Sequence, residues 1–143
     1  MSRHARIYLP LSPDQCRQLS TARSVPGPLE GYAVTQAVRT SDPQGDEESW
    51  EFAALQDAAL SCAVRSAPVL VAAADLDVAD LDDSAPAGSR VRVTGALPLQ
   101  RVAAFHVGDD VLTRQPPAPA DPGSEIELSW YDTTELDHLV SLV

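Results

Sequence analysis

Lysine is missing altogether. All ten basic residues of this 143-residue chain are arginines, set against 21 aspartates and glutamates, and the net charge is −11. So little positive charge excludes sequence-independent binding to nucleic acid and to anionic membrane surfaces, whose phosphates the summed field repels. Cysteine is almost as scarce. Cys16 and Cys62 make no disulfide framework, and both fall in expected helices as small buried hydrophobes; a reducing, cytoplasmic setting is the expectation. No apolar run approaches the length of a membrane span, and Ile7-Tyr8-Leu9 before Pro10 is too short for a signal-peptide core. Internal repeats, a Gly-rich phosphate loop and a nucleophile elbow around Ser12 or Ser129 are also lacking. With aromatics at 5%, Trp50, Trp130 and Tyr131 carry weight. They are expected as buried anchors, with interface hot spots as the second reading.

What is abundant is alanine, valine, proline and aspartate, the product of a GC-rich coding sequence, so part of the acidity is compositional. The length suits one domain spanning residues 1–143, large enough to bury most of its apolar surface. Ala67-Pro-Val-Leu-Val-Ala-Ala-Ala-Asp75 shows no polar alternation and is too short for a free-standing helix. It reads as a central strand covered on both faces. The segment 46–66 before it reads as a helix, with Phe52, Leu55, Ala59, Cys62 and Ala63 on one stripe and Trp50 and Ala53 beside it.

Upstream, Arg6 to Leu11 alternates as a short strand. Ser12-Pro13-Asp14-Gln15 has the spacing of a capping box, with Leu11 placed to staple against Cys16. Gly31 to Val38 begins as a strand and turns helical or stays extended. Downstream, Arg90 to Thr94 alternates as a half-exposed strand, expected to form an antiparallel hairpin with Val102 to Val107. Residues 111–124, rich in proline, read as a mobile loop. Ile126, Leu128 and Trp130 then alternate as a one-sided strand, and Asp132 with Glu135 caps a terminal helix. The order favours an α+β fold with a mixed or mainly antiparallel sheet and helices packed on one face, loosely ferredoxin-like with extra strands.

Arg6-Ile-Tyr-Leu-Pro-Leu11, Tyr32 to Thr35, Gly45 to Ala54, Val91 to Gly95, Val102 to Val107 and Leu128 to Tyr131 together resemble a family of small actinobacterial proteins of uncharacterised function. The resemblance covers most of the chain. It implies an actinobacterial cytoplasmic protein and brings no catalytic signature and no cofactor.

Candidate sites come from the residues alone. Asp75-x-Asp77, at the end of a buried strand, is where paired carboxylates hold a hard divalent cation; the bland reading is a solvated acidic turn. Asp80, Asp82 and Asp83 continue that series without the glycine and terminal glutamate of a calcium loop. His106 sits at a polar position of its strand and lacks the spacing to His4 or His138 that ligation needs, so a structural histidine is preferred to a general base. Gly108-Asp109-Asp110 reads as a turn. Cys16 near a helix start is a weak nucleophile candidate, set against burial. The function expected is a non-enzymatic interaction or regulatory protein that meets a basic protein partner through Asp80, Asp82 and Asp83. The rival is a small metal-assisted hydrolase or ligand-binding protein using Asp75, Asp77 and His106.

Overall fold

The first three helices of this chain each start on a side-chain cap, and these starts mark where the preceding strands and loops end. In the computed structural model, residues 3–82, 88–113 and 125–143 are described. After strand β1 (His4–Pro10), Ser12 accepts the Gln15 N–H at 3.1 Å while Gln15 Oε1 accepts the Ser12 N–H at 2.9 Å. This reciprocal cap opens α1 (Pro13–Ala22), which Arg23 closes in the left-handed region at φ 64°. Two short strands follow, β2 (Ser24–Val25) and β3 (Leu29–Tyr32), then α2 (Gln36–Ser41) under a Thr35 cap. Asp46 and Ser49 cap each other at the start of α3 (Glu47–Val64), whose first turn holds Glu47 and Glu48 at the positive end of the helix.

The second half is mostly strand. It comprises β4 (Leu70–Asp77), β5 (Leu81–Asp82), β6 (Arg90–Val93), β7 (Leu97–Pro98) and β8 (Val102–Gly108). The chain then runs through α4 (Asp109–Thr113), β9 (Leu128–Tyr131) and α5 (Leu136–Leu142). Seven strands form one sheet in the order β5-β6-β3-β1-β4-β8-β9, while β2 and β7 make a separate two-stranded ribbon. Every described pairing is antiparallel. The fold is α+β with an antiparallel sheet, as expected from the sequence.

Three expectations need correction. β4 is interior, between β1 and β8, but the middle position belongs to β1. β3 and β4 lie antiparallel to β1 on either side of it and are joined through α3, giving the split β-α-β unit that ferredoxin-like folds also contain. The expected hairpin of Arg90–Thr94 with Val102–Val107 does not form: β6 pairs with β3 and β5, and β8 pairs with β4 and β9. Fully buried Leu97 diverts the intervening chain into the ribbon with β2. Helices also cover both faces of the sheet instead of one. Ile7, Leu9, Leu70, Ala72, Ala74 and Leu76 meet Cys16 and Leu19 of α1 and Leu136 and Leu139 of α5. Tyr8, Tyr32, Val71 and Ala73, on the opposite face, meet α3.

The buried stripe of α3 keeps Ala59, Cys62 and Ala63 of the expected one and differs at its start. It consists of Ala54, Ala58, Ala59, Cys62 and Ala63, whereas Phe52 is 45% exposed and Leu55 only half-buried. Alanines at spacings of four let the helix approach the sheet closely, and a phenylalanine on that face would hold it off. Of the loop expected over residues 111–124, Val111 to Thr113 belong to α4 and Val111 is buried; residues 114–124 lie outside the described residues, as does Asp83. Among the described residues no helix is long and apolar enough to cross a membrane.

Candidate functional site

Because α3 lies over β1, β3 and β4, the same face of β8 and β9 is left open beside it. A cleft of about 430 Å³ occupies that gap. Phe52, Leu55 and Gln56 of α3 form one wall, residues 125–129 the other, and His106 of β8 with Asp109 at the start of α4 closes the end. The far wall is hydrogen-bonded to the helix through Gln56. Gln56 Nε2 donates to the Ile126 carbonyl at 2.9 Å, and the Ile126 N–H donates to Gln56 Oε1 at 2.8 Å. The amide thus stands in for one residue of a neighbouring strand. Ile126 and Leu128 pack inward against the core beneath α3, and Trp130, next on that face, is 62% exposed.

His106 lies directly across from Val71 of β4 and Trp130 of β9, with its ring edge-to-face against Tyr8 at 6.3 Å. Burial, and secondarily the charge of Arg6, hold its imidazole below the ordinary value, so it is neutral at pH 7. Burial and then Glu51 push the Tyr8 phenol up to about 12. Gly108 is required by geometry here. A Cβ on it would come within 2.8 Å of the Val69 Cβ, and the closeness allows its N–H to reach the Val69 carbonyl at 2.9 Å while Asp110 accepts the Val69 N–H. This anchoring sets Asp109 at the mouth of the cleft. The described lining holds three carboxylates, Asp109, Glu125 and Glu127, and no arginine.

The residues singled out in the sequence are scattered. Asp75 is held by Arg6 through two hydrogen bonds of 2.8 and 3.1 Å, and that guanidinium keeps its carboxyl below the usual range. Asp77 accepts the Ala79 N–H at 2.9 Å and starts a 3-10 turn. Val71, the partner of His106, is four residues from Asp75 along β4, about 13 Å at strand rise. His106 and the two aspartates therefore do not converge, and among the described residues no three His, Cys, Asp or Glu side chains are grouped to hold a metal. Asp80 sits exposed in the 3-10 turn before β5, and Asp82 on β5 is opposite Arg92. Both are at the far edge of the sheet from the cleft, six strand spacings away, about 29 Å. Cys16 is buried, and desolvation pushes its thiol up to about 11, which disfavours a nucleophilic thiolate. Trp50 is half-buried against the α2–α3 turn, its Nε1 donating to the Asp42 carbonyl and its ring under Arg39.

Gln56, Glu125 and Glu127 are residues that sequence reasoning passed over, and Asp109, read there as part of a turn, starts α4. The alternation of Glu125 and Glu127 with Ile126 and Leu128 was the one signal for the two glutamates. Replacing Gln56 by alanine is expected to free the far wall: with both hydrogen bonds to Ile126 lost, its backbone amide should lose protection in hydrogen exchange while global stability falls by only about 1–2 kcal/mol.

No curated protein and no solved structure matches the chain. A match does exist at the level of family: residues 5–140, from β1 through most of α5, fit the family of unknown function DUF6912. The match spans both walls of the cleft and all seven strands of the sheet but for His4, and the chain belongs to that family.

Proposed function

We propose that the protein is a non-catalytic interaction protein, at work in the cytoplasm of an actinobacterium, whose cleft receives arginine or lysine side chains of a protein partner. The lining supports this reading: apolar walls from Phe52, Leu55, Ile126 and Leu128 are joined by the acidic residues Asp109, Glu125 and Glu127, with no described positive charge among them. A long basic side chain fits such a site, because its methylene stem packs on apolar surface while its head meets carboxylates. Neutral His106 adds no repulsion. Asp80, Asp82 and Asp83 act at a distance, adding to the field that steers a basic partner toward the surface.

The rival reading, metal-assisted hydrolysis or ligand binding at Asp75, Asp77 and His106, draws no support from the geometry, since Arg6 already occupies the Asp75 carboxylate. NMR titration with a short arginine-containing peptide tests the proposal. Expected are shifts concentrated at Phe52, Leu55 and His106, lost when Asp109→Asn, Glu125→Gln and Glu127→Gln are combined, and weaker at high salt. The Asp80→Asn, Asp82→Asn, Asp83→Asn variant should slow association and leave dissociation unchanged. Shifts spread evenly over the acidic surface would sink the cleft as the binding site.

A further inference from the structure

Resting on the reading of a basic partner, we propose that the partner binds as an added strand along the outer edge of β9. This strand ends the sheet, and among the described residues nothing pairs with its outer edge. Proteins usually guard such an edge with proline, lysine, a bulge or extreme shortness. β9 has none of these. Leu128-Ser129-Trp130-Tyr131 is uncharged and β-prone, and pairs with β8 in unbroken register at all four positions. At the opposite end of the sheet, β5 is two residues long.

The flanking charges choose the occupant. Glu125 and Glu127 precede β9 and Asp132 follows it. A second copy pairing antiparallel through the same four residues would set Glu127 of each chain against Asp132 of the other, a like-charge pair at both ends, between molecules that each carry −11. An extended segment with arginine or lysine at its two ends and β-branched residues between them turns both repulsions into attractions. The face of such a strand that continues Leu128 and Trp130 lies on the side where the cleft opens, and exposed Trp130 offers a ring for a guanidinium. Main-chain hydrogen bonds then supply affinity, and the acids supply selection.

The probe is the blocked peptide Arg-Thr-Val-Thr-Val-Arg, with a counterpart carrying Glu for Arg and two versions N-methylated at alternate residues, one for each register of hydrogen bonding. Expected in the wild-type protein is roughly tenfold or greater hydrogen-exchange protection at alternate amides of β9. One N-methylated version should bind about tenfold or more weakly and the Glu counterpart should not bind. If both N-methylated versions bind like the parent while Phe52 and His106 shift, recognition runs through side chains in the cleft; strand addition is then wrong and the basic-partner reading survives. Equal binding by the Glu counterpart, or no binding by either peptide, overturns both. A dimer in sedimentation equilibrium whose β9 amides are already protected assigns the edge to a second copy and overturns the proposal.

Discussion

Leu70→Ala should lower the free energy of unfolding by roughly 2–5 kcal/mol. Leu70 opens β4 at 2% exposure, with its side chain in the core that Ile7, Leu9, α1 and α5 share. Its backbone is tied as well, because its carbonyl accepts the Leu11 N–H at 2.9 Å and it pairs with Val107 of β8. The truncation leaves a void that neighbours on three elements fill only in part, since β4 is pinned by ladders on both sides and cannot collapse inward. Domains of this kind have about 5–15 kcal/mol to lose, so the variant is expected to unfold at clearly lower denaturant with an unchanged slope. A loss below about half a kcal/mol in urea titration would mean that the β1–β4–β8 core is not packed as described.

Ala58→Leu carries the second large effect, from the opposite cause. Ala58 is fully buried where α3 rests on the sheet, in a core with Tyr8, Val71 and Ala73. Extra side-chain volume there must lift the helix or push its neighbours off their rotamers, at a cost of about 1–3 kcal/mol. Two turns away, Phe52→Ala removes far more volume from the same helix, yet stability should fall by less, about 1 kcal/mol or under, because the ring is 45% exposed on the cleft wall and outside both buried cores. Paired thermal unfolding of the two variants checks this. A larger loss for Phe52→Ala than for Ala58→Leu would reverse the assignment of the helix faces.

The stripe read from the sequence held Ala59, Cys62 and Ala63, which are buried, and erred at Phe52 and Leu55. A hydrophobic stripe drawn through Phe52 and Leu55 follows side-chain size, whereas the helix chose its face by how near it could come to the sheet. Local signals were read correctly: the Ser12–Gln15 start, the helix beginning at about Asp46, the unalternating run into Asp75, and the alternation of Ile126 with Leu128. Each depends on residues within a few positions of one another. The partition of helices between two faces and the separation of β6 from β8 depend on which strands become neighbours, and local pattern does not encode that. The cleft was illegible for the same reason: Gln56 and Ile126 are 70 residues apart, and a glutamine on a helix surface gives no sign of the backbone it will clamp.

The central position of β1 also sets how this chain must fold. Its partners on β4 run from Val71, opposite Pro10, to Asp77, opposite His4, separations of 61 to 73 residues. Loop-closure entropy must be overcome before those pairs return any stability, which places the fold among the slow, high-contact-order topologies. Until β4 has been made, Ile7-Tyr8-Leu9 has no partner on that side, and α1 lacks the part of its core that Leu70, Ala72 and Ala74 supply. A growing chain therefore holds an adhesive apolar strand ready over the synthesis of roughly sixty residues, several seconds at ordinary elongation rates.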